Sequence, residues 1–106
     1  MAIELFNTAQ SQYPSTQKFI RAKYNRSLFD ELKKVIDLKQ LLCEMGISKN
    51  YYINYLNGYS ALSMLQFSKI KDFLIDHYKR SDEDYAYFLL IEKIAYCWIM
   101  TKIYET

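Results

Sequence analysis

The sequence contains little glycine and little proline, and this scarcity bears on the fold class. Two glycines and one proline occur in 106 residues. Short strands joined by tight turns usually need these two residues, so the composition favours helices over an architecture built from many β-hairpins. Hydrophobic residues make up 51% of the chain, which is enough to bury a core. We therefore predict one all-α domain with at most a small appendage.

Residues that carry catalytic or metal chemistry are also scarce. His77 is the sole histidine, and Cys43 and Cys97 are the two cysteines, so no metal-ligand spacing is present. The sequence contains no glycine-rich phosphate loop and no nucleophile paired with a histidine. We interpret both cysteines as ordinary buried thiols in a reducing compartment. We expect no enzymatic activity, no catalytic residue, no metal and no cofactor.

Neither a strong net charge nor a long hydrophobic run is present. The formal charge of +2 neither requires nor excludes a polyanionic partner, because a basic face can exist within a nearly neutral total. Glu92 and Lys93 interrupt the longest hydrophobic stretch, which is too short to span a membrane. The opening MAIELFNTAQ lacks the pattern of a signal peptide. We expect a cytoplasmic protein (nucleoid-associated, or in the host cytoplasm if phage-encoded) that does not associate with membranes.

Capping residues and apolar stripes divide the chain into predicted helices. An arm over 1–14 ends at Pro14, and a basic helix starts at Ser15 or Thr16. Ser27 begins the next helix. The later predicted helices are 27–36, 38–45 after Asp37, 49–57 after Ser48, and 64–78 after Ser63. We group these elements into an N-terminal arm and basic helix (1–26), a central domain (27–78) and a C-terminal packing helix (82–106).

The stretch EMGISKNYYINYLNG, residues 44–58, indicates a helix-turn-helix. Gly46 suits the left-handed conformation that a tight turn requires. Ile47 can fill the angle between the two helices. Ser48 can cap the second helix and leave its first backbone N–H groups pointing outward, toward phosphates or bases.

Residues 37–74 resemble the DNA-binding domain of the phage repressor and Cro family of bacterial helix-turn-helix regulators. The turn Gly46-Ile47-Ser48 carries the resemblance, with Tyr52 and Tyr55 at two buried positions of the recognition helix. The other matching residues are Asp37, Leu41, Gly58, Ser63, Met64, Phe67, Lys69, Ile70 and Leu74, while Leu38, Leu42 and Leu56 depart from the family pattern. The resemblance implies a lambda-repressor-like bundle and a transcriptional repressor of bacterial, phage or plasmid origin.

The resemblance also implies which side chains contact double-stranded DNA. Lys49, Asn50, Tyr51 and Asn54 match positions that reach the major groove. Lysine can donate to guanine, and asparagine can pair with adenine. Ser48, Tyr51 and Tyr59 are suited to phosphate oxygens. The most basic stretch either contacts further phosphates or is a solvated helix face; its residues are Lys18, Arg21, Lys23 and Arg26.

The last predicted helix is apolar on almost every side and therefore needs cover on two sides. One side can lie on the preceding helices, and we expect a second copy of the chain on the other. The predicted dimer interface is Tyr85, Phe88, Leu89, Tyr96, Trp98, Ile99 and Ile103. The modest charge and the tyrosine-rich recognition helix leave an alternative open. In that alternative, the helix-turn-helix fold is a protein-binding inhibitor or adaptor of phage or mobile-element origin.

Overall fold

A computed structural model describes the backbone of residues 2–81 and 84–103 and the side chains of residues 16–79 and 85–103. Within these residues the structure has five α-helices and no strand, so the predicted all-α class is confirmed. The helices are α1 (Ala2–Lys33), α2 (Leu38–Glu44), α3 (Lys49–Leu56), α4 (Met64–Ser81) and α5 (Asp84–Ile103). None of the described helices is long and apolar enough to cross a membrane.

The α1 helix continues through both positions where the sequence suggested a helix boundary. The predicted arm ending at Pro14, the helix start at Ser15 or Thr16, and the new helix capped by Ser27 are wrong. A stripe of buried residues crosses Ser27 on one face of α1, and only an unbroken helix keeps such a stripe on one side. The fully buried members of this stripe are Asn25, Leu28, Phe29 and Leu32.

The caps predicted for the three following helices are present. The Asp37 carboxylate accepts the backbone N–H groups of Lys39 and Gln40 in α2, and the Ser48 hydroxyl oxygen accepts that of Tyr51 in α3. Ser63 and Gln66 exchange two bonds: the Gln66 N–H donates to Ser63 Oγ (3.1 Å), and the Ser63 N–H donates to Gln66 Oε1 (2.8 Å). This reciprocal pair is a capping box. These bonds start the three helices at the predicted positions, and α4 continues to Ser81.

Both glycines terminate helices in the left-handed conformation. Gly46, with φ of 70°, follows α2, and Gly58, with φ of 80°, follows α3. After α2, the Gly46 N–H donates to the Cys43 carbonyl and the Ile47 N–H to the Leu42 carbonyl. This pair of bonds is a Schellman motif. The same arrangement follows α3, so both helices end in a defined geometry.

The two faces of α2 differ in burial. Leu38 and Leu41 are buried, whereas Cys43 is exposed. With 3.6 residues per turn, Cys43 lies about 140° around the helix from Leu38, on the solvent side. The prediction that both cysteines are buried is therefore wrong for Cys43 and confirmed for Cys97.

The core connects α1 and α4 to α5. Leu28 and Leu32 of α1, Ile70 of α4 and Ile94 of α5 are fully buried. The Phe67 ring stacks on the indole of Trp98 with 4.5 Å between ring centroids. The Trp98 Nε1–H also donates to the Leu62 carbonyl at 2.7 Å. One side of α5 is thus held by the core, as predicted for a helix lying on the preceding ones.

Candidate nucleic-acid interface

The side of α3 that faces away from the core carries the predicted DNA-reading residues. Lys49, Asn50, Tyr51 and Asn54 are all exposed, Tyr51 to 62%. Tyr55, which lies about 100° around the same helix from Asn54, is only 5% exposed. The structure therefore brings the four predicted residues together on one outward surface, with Ser48 at its beginning.

The first turn of α3 is electrostatically suited to an anion. It contains no acidic side chain. The positive end of the helix dipole lies here, and Lys49 adds a cation at the same end. A cation at this position is unfavourable for the helix itself. A phosphate or another acceptor near Ser48 and Lys49 would offset that cost.

Two tyrosines anchor the inner side of α3. The rings of Tyr52 and Tyr55 lie 5.1 Å and 6.2 Å from the Phe29 ring, measured between centroids. The Gln66 Nε2 donates to the Tyr55 hydroxyl at 3.0 Å. Tyr52 is half-buried, and burial, followed by the nearby charge of Asp30, raises the pKa of its hydroxyl. The inner face of α3 is therefore fixed to α1 and to the start of α4.

Two arginines of α1 bind the carbonyl end of α3. The Arg21 Nε–H donates to the Gly58 carbonyl at 2.6 Å, and the Arg26 Nε–H donates to the Leu56 carbonyl at 2.7 Å. Arg26 also donates to the Asn57 side chain at 3.3 Å. Cations at this end complement the helix dipole. Arg21 and Arg26, which the sequence suggested as phosphate contacts, thus donate to backbone carbonyls at the end of α3 and fix its position.

Sequence reasoning missed Asn25, which connects the same elements. Its side-chain Nδ2 donates to the Tyr55 carbonyl (2.8 Å) and to the Ser60 carbonyl (2.9 Å), while the residue is fully buried. Its Oδ1 is buried without a hydrogen-bond partner among the described residues. The signal in the sequence was a polar residue among the apolar positions of α1, one turn before Leu28 and Phe29.

The remaining basic residues lie beside the end of α3. Lys18 Nζ is 3.6 Å from the centroid of the exposed Tyr59 ring, and its hydrogen bond lowers the pKa of the Tyr59 hydroxyl. Lys23 is exposed. Since α3 has eight residues, it spans about 12 Å, which separates these cations from Lys49. The predicted site is therefore a strip along α3 with positive charge at both ends.

An open groove of about 670 Å³ lies between α1 and the end of α3. Phe19, Ala22 and Leu56 supply its apolar surface, and Phe19 is 73% exposed. The polar lining consists of Lys18, Lys23, Arg26 and Asn57. Sequence reasoning did not identify this groove, because its two walls come from segments of the chain that are thirty or more positions apart.

The predicted dimer residues fall into two groups. Six are exposed on α5: Tyr85, Phe88, Leu89, Tyr96, Ile99 and Ile103. Trp98 does not belong with them, because its indole packs on Phe67 and donates to the Leu62 carbonyl within the same chain. Trp98 is half-buried and joins α5 to α4 within the chain, and its place in the dimer interface stays a prediction.

Two further findings concern metal binding by the described residues and similarity to known proteins. In the part of the chain that the structure describes, no group of His, Cys, Asp and Glu side chains is arranged to hold a metal ion. Comparisons of the chain with known protein families, curated proteins and solved structures found no match.

Proposed function

We propose that this protein is a sequence-specific DNA-binding regulator that acts as a homodimer and represses transcription. The observation that carries the proposal is the outward face of α3, where Lys49, Asn50 and Asn54 lie exposed while Tyr55 anchors the helix from inside. A recognition helix needs this combination of a rigid inner side and a polar outer side. We infer that these helices form a lambda-repressor-like bundle, which would place α3 in the major groove.

The exposed side chains have the chemistry for reading base edges. Asn50 and Asn54 can each pair with the N6 and N7 atoms of adenine, and Lys49 can donate to guanine O6 and N7. Such contacts contribute roughly 1–3 kcal/mol each to discrimination between bases. Tyr51 can donate its hydroxyl to a phosphate oxygen, which positions the helix without specifying sequence.

The basic side of α1 contributes to affinity in two ways. Lys18 and Lys23 supply positive charge next to α3, and a phosphate contact there releases counterions, so binding weakens as salt rises. Arg21 and Arg26 hold the end of α3 through its carbonyls, which keeps the reading face in a fixed orientation. The basic residues of α1 therefore divide into two that support binding, Lys18 and Lys23, and two that position α3, Arg21 and Arg26.

A dimer provides the selectivity that one copy lacks. One small module buries too little surface to bind both tightly and selectively. Two copies would place their α3 helices in successive major grooves, one helical turn of DNA apart. The exposed apolar side of α5 supports such an assembly. A protein with this activity would work in the cytoplasm, at the nucleoid.

Binding to random duplexes and to sequences selected from a random DNA pool, measured by fluorescence anisotropy at rising salt, tests the proposal. The double variant Asn50→Ala/Asn54→Ala is expected to lose selectivity while it retains its folded circular dichroism spectrum. Lys49→Ala is expected to weaken binding, whereas Lys71→Ala, which removes the same charge from an exposed position on α4, should leave selectivity unchanged. Absence of binding at low salt would remove the proposal.

Protein binding is the second candidate function, and the groove beside α3 favours it. An exposed Phe19 next to Lys18, Lys23 and Arg26 is typical of surfaces that hold an apolar side chain of an acidic protein segment. Exposed tyrosines at positions 51 and 59 add to this surface. The DNA-binding measurements by fluorescence anisotropy separate the two functions. An inhibitor or adaptor of this kind would show no selectivity among DNA sequences.

A further inference from the structure

One face of α5 carries a continuous stripe of exposed apolar side chains. Its six members are exposed by 47% to 77%: Tyr85, Phe88, Leu89, Tyr96, Ile99 and Ile103. The opposite face is buried against α1 and α4 through Leu90, Ile94 and Cys97. Apart from the Tyr24 ring, which meets the Tyr96 ring edge-on at 6.0 Å between centroids, the described part of the chain leaves this stripe exposed.

The spacing of the stripe matches the seam of a helix pair. Its central positions are 85, 89, 92, 96, 99 and 103, which alternate steps of four and three residues. This 3.5-residue period is the one that keeps a line of side chains facing a second helix. Glu92 is the single charged residue in the seam, and it lies near the middle.

The area of the stripe fits a second copy of the chain. Aromatic and large aliphatic side chains at this exposure offer about 100 Å² each, or roughly 600 Å² on one copy. This is at the upper end of what a typical monomer leaves exposed in one patch. Two copies together would bury roughly 1,200 Å², the lower limit for a specific interface.

We propose that two copies pair through antiparallel α5 helices, with each Glu92 carboxylate facing the Tyr96 hydroxyl of the other copy. When the two helices run in opposite directions, position 85 of one copy faces position 103 of the other. Position 89 likewise faces position 99, and position 92 faces position 96. Every layer then joins two apolar residues, except the layer that places the acid against a hydroxyl donor. This pairing specifies the interface of the homodimer in the proposed function, and it rests on that homodimer.

The position of Glu92 selects this direction over the parallel one. In a parallel pair, identical positions meet, so the two Glu92 carboxylates would oppose each other in an apolar seam. Like charges removed from water are strongly unfavourable. In the antiparallel pair each carboxylate accepts a hydrogen bond from a tyrosine hydroxyl, and such charge-assisted bonds are among the strongest in proteins.

Chemical crosslinking of the full chain in the Cys43→Ser background tests the direction. A short bis-maleimide is expected to give no crosslinked dimer with Leu89→Cys alone or with Ile99→Cys alone. In the antiparallel pair, the same position in the two copies lies about 15 Å apart along the helices. A mixture of the two variants is expected to crosslink. Efficient crosslinking of either variant alone would overturn the antiparallel direction. The Cys43→Ser chain with Cys97 alone is the background control.

Substitutions at the central layer give a second, independent readout. Tyr96→Phe keeps the ring beside Tyr24 but removes the hydroxyl, so it should weaken dimerisation in sedimentation experiments by about tenfold or more. Glu92→Gln should also weaken it, whereas a parallel pair would be strengthened. An unchanged or tighter dimer with both variants, or a monomeric full chain, would overturn the inference. None of these measurements includes DNA, so their outcome is distinct from failure of DNA binding.

Discussion

Replacing each glycine by alanine separates the effect of backbone conformation from that of close packing between α1 and α3. Both glycines have positive φ, 70° at Gly46 and 80° at Gly58. A Cβ at Gly46 would have no atom within 4 Å. A Cβ at Gly58 would lie 2.0 Å from the Lys18 carbonyl oxygen and 2.9 Å from the Ala22 nitrogen, both backbone atoms of α1.

The structure gives different magnitudes for the two variants. The left-handed conformation costs an alanine roughly 1–2 kcal/mol, and this cost applies to both. In Gly58→Ala, the backbone at position 58 must also move about 1 Å away from the backbone of α1, because Cβ contacts under 3.0 Å essentially never occur. That movement strains the bonds from Arg21, Asn25 and Arg26, each worth about 1 kcal/mol or more. We expect a loss of about 4 kcal/mol for Gly58→Ala.

Urea unfolding followed by circular dichroism measures the difference between the two variants. A chain with the stability of an ordinary small domain, about 5–15 kcal/mol, would retain most of it in Gly46→Ala and lose much of it in Gly58→Ala. Gly58→Ala should also weaken selective DNA binding, because the end of α3 moves away from α1. Equal losses of stability in the two variants would refute the close approach of α3 to α1.

Two further predictions concern Asn25 and the cysteines. Asn25→Asp replaces the amide donor with a carboxylate facing two carbonyls, so it should destabilise the protein by about 3 kcal/mol or more, and by more than Asn25→Leu. The introduced carboxyl would have a raised pKa in the folded state. Urea unfolding should therefore show that the loss in the free energy of unfolding shrinks as the pH falls toward the ordinary carboxyl pKa, about 4. A pH-independent loss would contradict the explanation. Burial, with a further contribution from Glu31, raises the pKa of the Cys97 thiol, and Cys43 is exposed. Labelling at neutral pH should therefore modify one thiol rapidly, and Cys43→Ser should abolish this fast phase; rapid labelling of both would contradict the burial of Cys97.

The starts of α2, α3 and α4 were predictable because their signals are local. Asp37, Ser48 and Ser63 cap helices through atoms within three residues of themselves. Gly46 and Gly58 end α2 and α3 by adopting a conformation that other residues rarely take. The outward position of Asn50 and Asn54 follows from helical periodicity once Tyr55 is assigned to the core.

The length of α1 and the positioning of α3 were not predictable in this way. Ser27 is a strong local capping signal, yet it lies inside α1, because burial of Leu28 and Phe29 against other helices favours continuing the helix. Asn25 finds its acceptors thirty and thirty-five residues away, and Trp98 finds its own thirty-six residues away. No local pattern contains these pairings.

The sequence by itself determined the all-α class, the starts of α2, α3 and α4, and the residues that form the outer face of α3. Caps, glycines and helical periodicity act over a few residues, so they can be read along the chain. Only the tertiary structure decided that α1 is one helix, that Arg21, Asn25 and Arg26 hold the end of α3, and that Trp98 donates to the Leu62 carbonyl. Burial of distant apolar and polar groups against one another outweighs single local signals, and it depends on contacts that exist only after the chain has folded.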